Sequence, residues 1–265
     1  MIITATKAVA AVLIAGALSP GTEAAYEKKA AMEETRVACM KEQGLTYLAE
    51  PVVKRQWQPG ERERLAGDYE ALRAYRAKYG FGVWSKHVFP DAASKENPNN
   101  KNMMAMSAKE LKKWRAADEG CFAKAAKEHL GMTVTSFWDD YLTKLDTALE
   151  DSIAPLDKDP RLVGLGERFA KCLGAGPTKP SVLAELGRSK FLKERTELAK
   201  KNHKGDKPVM WGPMKPAEAR PYLAKEIKAA LKDLECGKTF YAAYSPAAWA
   251  AKERVYQEFA MTPML

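Results

Sequence analysis

The sequence feature that most constrains the fold of this 265-residue chain is a set of four cysteines, each late in a predicted helix. Cys39 lies in R-V-A-C-M and Cys172 in R-F-A-K-C-L, and a glycine, a helix and a long loop follow each. Cys121 and Cys236 come late in charged helices, both three residues after an aspartate. Four cysteines allow three connectivities, and this weak duplication favours Cys39 with Cys121 and Cys172 with Cys236.

A metal site is the competing interpretation of the four cysteines. Zinc ligands normally come in closely spaced pairs such as C-x-x-C, whereas here no two cysteines are near in sequence. We therefore expect two disulfides, no metal and no other cofactor. On the chain-entropy model, a bridge that closes so long a loop stabilises the fold by about 4 kcal/mol. If the chain stayed in the cytosol, free buried thiols would be expected instead.

The first 25 residues have the three parts of a secretory signal peptide. Lys7 supplies a positive charge, residues 8–18 are apolar or small, and Ser19-Pro20-Gly21 is expected to interrupt any helix. The apolar run is too short to cross a hydrocarbon core of about 30 Å. We expect cleavage near Ala24 or Ala25, a secreted or extracytoplasmic location, and no transmembrane segment in the mature chain. The alternative is a buried N-terminal helix.

Apolar residues recur at spacings of three and four along most of the chain, and this spacing predicts an all-α fold. A hydrophobic content of 46% with 29% charged residues excludes a disordered polypeptide. The pattern predicts helices over 26–44, 61–80, 108–129, from about 137 past Leu149, 160–173, 181–201, 221–238 and from Ser245-Pro246 onward. Ser107 with Glu110 and Ser136 with Asp139 predict capping boxes, and Trp138 falls among the apolar positions of the helix that follows Ser136. Asp159 ahead of Pro160, and Ser181, are further predicted caps.

The duplication also divides the mature chain. We expect a first half at 26–133 and a second at 134–265, each a helix, a long loop and a returning helix clamped by one disulfide. The two halves are expected to pack together as one body.

A net charge of +9 makes acidic partners plausible. The basic residues concentrate in 188–207, where the candidate binding residues are Arg188, Lys190, Lys193, Lys200 and Lys201. Outside a cell the expected partner is an anionic cell-wall polymer or an acidic protein rather than nucleic acid. The alternative is a solvated helix face carrying ion pairs.

An aromatic segment over 80–90 supplies the other candidate binding residues, Trp84, His87 and Phe89. Aromatic rings bind sugars and peptides through their faces and edges, so this segment could line a groove. The alternative, which we favour, is an apolar plug that covers a pair of helices.

No catalytic motif is present. The chain lacks H-E-x-x-H, G-x-S-x-G, S-x-x-K and a phosphate-binding glycine loop. The adjacent carboxylates at Asp139-Asp140 and Glu150-Asp151 point about 100° apart on a helix, which favours caps and solvated surface. We expect a non-enzymatic envelope or extracellular binding protein. The alternatives are a secreted inhibitor or toxin that acts on an acidic protein, and a secreted hydrolase that uses Asp or Glu with His87.

Several short motifs resemble exported cysteine-containing proteins of high-GC Gram-positive bacteria that have no assigned activity. The motifs are C-M-K-E-Q-G-L-T-Y at 39–47, Y-G-F-G-V at 79–83, G-C at 120–121 and D-P-R at 159–161. Those proteins commonly have W-x-x-C-M at the second cysteine helix, where this chain has F-A-K-C-L at 169–173. The resemblance implies export and this cysteine arrangement, and it implies no mechanism.

Overall fold

The computed structural model describes residues 20–89, 97–202 and 214–262, and within these ranges the chain forms helices and turns without a strand. The predicted all-α class is confirmed. The α-helices are α1 (Pro20–Glu42), α2 (Glu61–Leu65), α3 (Tyr69–Tyr79), α4 (Ser85–Val88), α5 (Asn100–Ala105), α6 (Ala108–Leu130), α7 (Leu142–Ile153), α8 (Pro160–Leu173), α9 (Pro180–Asn202) and α10 (Pro216–Glu258). A π-helical turn, Phe137–Tyr141, precedes α7, and a 3-10 turn, Ala154–Lys158, follows it.

Both predicted disulfides are present. Cys39–Cys121 joins α1 to α6, with 5.6 Å between the Cα atoms, and Cys172–Cys236 joins α8 to α10, with 5.5 Å. The first bridge is buried, whereas Cys172 of the second is exposed to solvent. We refer to them below as the buried and the exposed disulfide.

The clearest capping signals act as predicted. The Ser107 hydroxyl accepts from the Glu110 amide at 3.3 Å, and the Glu110 carboxylate accepts from the Ser107 amide at 2.8 Å, which closes a capping box at the start of α6. Asp159 caps α8 ahead of Pro160. Gly131 and Gly174 follow α6 and α8 in the left-handed conformation that favours glycine.

The predicted helix over 61–80 is wrong, because the chain breaks between α2 and α3. Gly67 has φ of +78°, and a Cβ there would lie 2.5 Å from the Tyr241 carbonyl oxygen of α10. The break therefore depends on close backbone approach between segments that are far apart in sequence.

Two predicted helices, over 221–238 and from Ser245-Pro246, are instead parts of the single 43-residue α10. Pro246 lies inside this helix and not at its start. A proline in a helix interior removes one backbone hydrogen bond and costs about 3 kcal/mol or more. Packing of α10 against α1, α3, α7 and α8 offsets that cost.

Two serine caps differ in detail from the prediction. The Ser136 hydroxyl does accept from the two backbone amides of Asp139 and Asp140, but the returning carboxylate is that of Asp140, which accepts from the Thr135 amide. Helix α9 begins at Pro180, one residue before the predicted cap. The Ser181 amide and hydroxyl both donate to Asp157 instead.

The hydrophobic core runs through both predicted halves. One cluster joins Met32 and Phe122 to Tyr141 and Val255, and another joins Leu72 to residues of α8 and α10. Helix α10 contributes to three of the four clusters. A boundary at 133/134 therefore does not separate two self-contained cores.

The expected cleavage site lies within the first two turns of α1. Ala25 and Tyr26 are buried, and the Tyr26 hydroxyl accepts from the Arg55 amide at 2.7 Å. Pro20, expected to interrupt a helix, instead begins one. Among the described helices, none has both the length and the apolar content that a membrane span requires.

Candidate functional site

The aromatic segment over 80–89 packs into the protein. Trp84 is fully buried, with 0% of its surface exposed, and its ring stacks on Tyr222 of α10 at a centroid distance of 4.4 Å. Val83, Phe191 and Leu223 complete this cluster. Trp84, a candidate binding residue, thus belongs to the core and offers no free face to a ligand.

A buried carboxylate anchors this segment. Glu226 of α10 is fully buried and accepts three backbone hydrogen bonds, from Phe81 at 2.8 Å and from Val83 and Trp84 at 2.9 Å each. Burial raises the pKa of Glu226 above its ordinary value, and the three N–H donors oppose that rise. The carboxylate satisfies backbone amides that water cannot reach, which is a structural role.

His87 and Phe89 lie on different sides of this plug. The half-buried His87 ring lies 6.1 Å from that of Trp84, and burial together with the nearby Arg195 charge lowers its pKa. The charged group that acts on His87 is therefore a cation and not the carboxylate that a hydrolase would need. Phe89 is 43% exposed and lines, with Tyr75 and Tyr79, a shallow groove of about 540 Å³.

The basic residues of α9 form an outer face. Lys190, Lys193, Lys200 and Lys201 are all exposed and, at 100° per residue, fall within about a third of the helix circumference. The Lys200 ammonium lies 3.0 Å from the Glu197 carboxylate. Arg188 is also exposed but lies on the opposite side of α9, 3.7 Å from Glu185. Residues 203–207 of the predicted patch lie outside the described residues.

A deeper cleft, not expected from the sequence, opens between α1, α6 and the π-helical turn. Its volume is about 680 Å³, within the range of roughly 300–1,000 Å³ that is typical of small-molecule sites. Its lining combines aromatic rings with charged and amide side chains. We call it the α1–α6 cleft.

Its floor is a buried polar network centred on Arg36. The guanidinium donates to Glu33 at 2.7 Å and to Asp118 of α6 at 2.8 Å. Glu33 also accepts from the Tyr47 hydroxyl at 2.9 Å and from the Glu50 amide at 2.8 Å. Burial alone would lower the pKa of Arg36, but the neighbouring acidic groups outweigh it and the pKa is raised.

One donor of this network has no partner among the described residues. The Arg36 Nε is buried and makes no hydrogen bond, although both terminal nitrogens of the same guanidinium are paired. The Arg36 guanidinium stacks over the Tyr47 ring at 4.6 Å and lies 5.5 Å from the Phe122 ring. Two rings and two carboxylates therefore fix its position.

Aromatic residues of the π-helical turn form one wall and the mouth. Phe137 and Tyr141 contact Phe122 edge to face, at centroid distances of 5.2 Å and 5.1 Å. The Tyr141 hydroxyl donates to the Phe259 carbonyl oxygen, which ties the wall to the end of α10. Trp138 lies at the mouth with 72% of its surface exposed, an unusual exposure for the largest side chain.

Three surfaces are thus candidates for ligand binding: the Phe89 groove, the lysine face of α9 and the α1–α6 cleft. Sequence analysis assigned Trp138 to the apolar face of a helix. The wider π-helical turn over 137–141 changes the direction in which this side chain points. Across the described residues, no group of His, Cys, Asp or Glu side chains is placed to hold a metal ion.

Comparison with protein-family models, with curated proteins and with solved structures finds no match to this chain. The three surfaces themselves are therefore the basis for inferring function.

Proposed function

We propose that this chain is an exported, non-enzymatic binding protein of the cell envelope or extracellular space, and that its ligand occupies the α1–α6 cleft. The observation that carries the proposal is the exposed Trp138 at the mouth of a cleft of about 680 Å³ whose floor is the Arg36 network. Concave sites with an apolar wall and a few convergent polar groups are the usual form of a ligand site.

The chemistry of the cleft floor favours binding over hydrolysis. Glu33 and Asp118 are both ion-pair partners of Arg36, at 2.7 Å and 2.8 Å. A general acid and base pair needs two carboxylates that face a substrate from opposite sides. Here the two carboxylates face a guanidinium of the protein itself.

The two disulfides support export, because disulfides form and persist in oxidising compartments. We propose that residues 1–25 direct export and are removed near Ala24 or Ala25. That cleavage would remove the Lys54–Glu23 ion pair, which is exposed to solvent and therefore contributes little to stability. Tyr26 and its bond to Arg55 would remain.

The test is adsorption of the purified mature protein to isolated bacterial cell walls. Trp138→Ala should reduce the bound fraction severalfold, because it removes the exposed ring at the mouth. Phe89→Ala is the matched control, since it removes an exposed aromatic ring from a different groove. Equal adsorption of Trp138→Ala and unmodified protein would contradict the assignment of the cleft.

The lysine face of α9 supports a second candidate function, adsorption to an anionic wall polymer. Its four lysines lie on one exposed side of the helix. Reversal of all four to glutamate should abolish salt-sensitive adsorption and leave Trp138-dependent adsorption in place. Exposed charges are screened over about 8 Å at physiological ionic strength, so raising the salt concentration alone distinguishes the two surfaces.

A further inference from the structure

We propose that the α1–α6 cleft binds a neutral saccharide chain. This inference rests on the proposed binding function and names the chemical class of the ligand.

The charge of the cleft is the first reason. The protein as a whole carries +9, yet the cleft lining is slightly acidic. It contains three cations and four carboxylates: Lys29, Arg36, Arg115, and Glu33, Glu50, Asp118, Glu119. The surplus basic charge lies elsewhere, on surfaces such as the lysine face of α9. A polyanion would therefore bind outside the cleft, and a ligand inside it carries little or no net charge.

The balanced charge at Arg36 is the second reason. Glu33 and Asp118 both pair with its guanidinium, at 2.7 Å and 2.8 Å, so this positive charge is already balanced within the protein. A carboxylate or phosphate bound at the floor would lie beside these two carboxylates and be repelled. A hydroxyl or amide carbonyl oxygen carries no net charge and avoids that repulsion. Saccharides, including N-acetylated ones, present both kinds of oxygen.

Trp138 is the third reason. A sugar ring has polar edges and an apolar C–H face, and an exposed indole offers a flat apolar surface of matching size. The ring lies against Phe137 at a centroid distance of 5.1 Å, which limits its reorientation. Asn100, also in the lining, supplies an amide group that can both donate and accept.

A peptide fits these features less well. Peptide-binding sites commonly use an exposed strand edge or a long apolar groove for a helix. The described ranges contain no strand, and the lining mixes charged with apolar groups. Peptide binding is accordingly an outcome that would count against the inference.

The experiment measures binding of defined probes to the mature protein by isothermal titration calorimetry and tryptophan fluorescence. The neutral probes are oligosaccharides of N-acetylglucosamine and of glucose. The charged probe is an oligogalacturonate, and the peptide probe is a mixture of uncharged hexapeptides. Variants are Trp138→Ala, Trp138→Phe and the control Phe89→Ala, with folding of each checked by circular dichroism.

At least one neutral saccharide should bind, with an affinity that changes little between about 0.05 M and about 0.5 M salt. Trp138→Ala should weaken it about tenfold, Trp138→Phe about threefold or less, and Phe89→Ala not measurably. The inference is overturned if no neutral saccharide binds, if only the oligogalacturonate or the peptides bind, or if Trp138→Ala leaves the affinity for the saccharide unchanged.

The failure of this inference is distinct from failure of the proposed function. If cell-wall adsorption depends on Trp138 while no neutral saccharide binds, the cleft is a binding site for another class of ligand. If neither adsorption nor any probe depends on Trp138, both proposals fail together.

Discussion

Glu226 offers the sharpest test of how this fold is held together. Its fully buried carboxylate accepts the amides of Phe81, Val83 and Trp84, which lie more than 140 residues earlier in the chain. In Glu226→Gln, the side-chain carbonyl oxygen can still accept two of these bonds. The new NH₂ group then faces the third amide, so that two donors oppose each other in the interior.

The magnitude follows from the hydrogen bonds. A buried donor left without an acceptor costs about 1–3 kcal/mol. Glu226→Gln should therefore lower the free energy of unfolding by about 1–3 kcal/mol. Glu226→Ala leaves three amides unpaired and should cost about 3–9 kcal/mol, which is comparable with the whole stability of a typical domain, about 5–15 kcal/mol.

Urea denaturation followed by circular dichroism and by tryptophan fluorescence measures both variants. The matched control is Glu258→Gln, an exposed glutamate at the end of the same helix, which should change stability by less than about 0.5 kcal/mol. If Glu226→Gln were as stable as this control, the three amides would not depend on the carboxylate and the reasoning would be refuted.

Three further outcomes are expected. Gly80→Ala should destabilise the fold more than Gly44→Ala: both glycines have a positive φ, but only at Gly80 would a Cβ meet the Glu226 side chain, at 2.7 Å. Paired urea melts measure the difference in stability, and equal effects of the two substitutions would contradict the packing at Gly80. Under limiting dithiothreitol the exposed disulfide should be reduced before the buried one, as alkylation and mass spectrometry of the peptides would show; the reverse order would contradict the burial argument. Burial and Arg195 hold the pKa of His87 below its ordinary value of about 6.5, so protonation favours the unfolded chain and stability falls as the pH drops below that value. His87→Gln should therefore gain stability relative to the unmodified protein between about pH 6.5 and pH 5 in urea melts, and a pH-independent difference would contradict this assignment.

Local signals predicted the parts of this fold that depend on neighbouring residues. The capping box at Ser107, the Asp159-Pro160 start of α8 and the glycine after α6 all act within one turn of the chain. The disulfide connectivity was predicted from the duplication. It is confirmed because the bridged cysteines do lie in helices that pack against each other.

The parts that sequence analysis missed depend on distant contacts. The break between α2 and α3 occurs where Gly67 approaches the backbone of α10, and nothing near Gly67 in sequence indicates that approach. The sequence at Ser245-Pro246 is typical of a helix start, yet α10 continues through Pro246 because it packs against several other helices. The exposure of Trp138 follows from a π-helical turn, which shifts a side chain off the face that a 3.6-residue period assigns to it.

The surroundings of the two disulfides differ although their sequence contexts are alike. An aspartate precedes the second cysteine of each bridge by three residues, Asp118 before Cys121 and Asp233 before Cys236. Asp118 pairs with Arg36, three residues before Cys39 on the bridged helix α1, so the buried disulfide fixes both helices that supply the cleft floor.

At the exposed disulfide the residue three positions before Cys172 is Phe169, which cannot pair with an aspartate. Its ring is fully buried against Phe240 and Tyr241, and Asp233 instead accepts from Arg76 of α3 and from the Tyr241 hydroxyl. Asp233 therefore lies in a core closed by aromatic packing, whereas Asp118 pairs with Arg36 in the lining of the α1–α6 cleft. The same aspartate position thus serves a closed core beside one disulfide and a polar cleft floor beside the other.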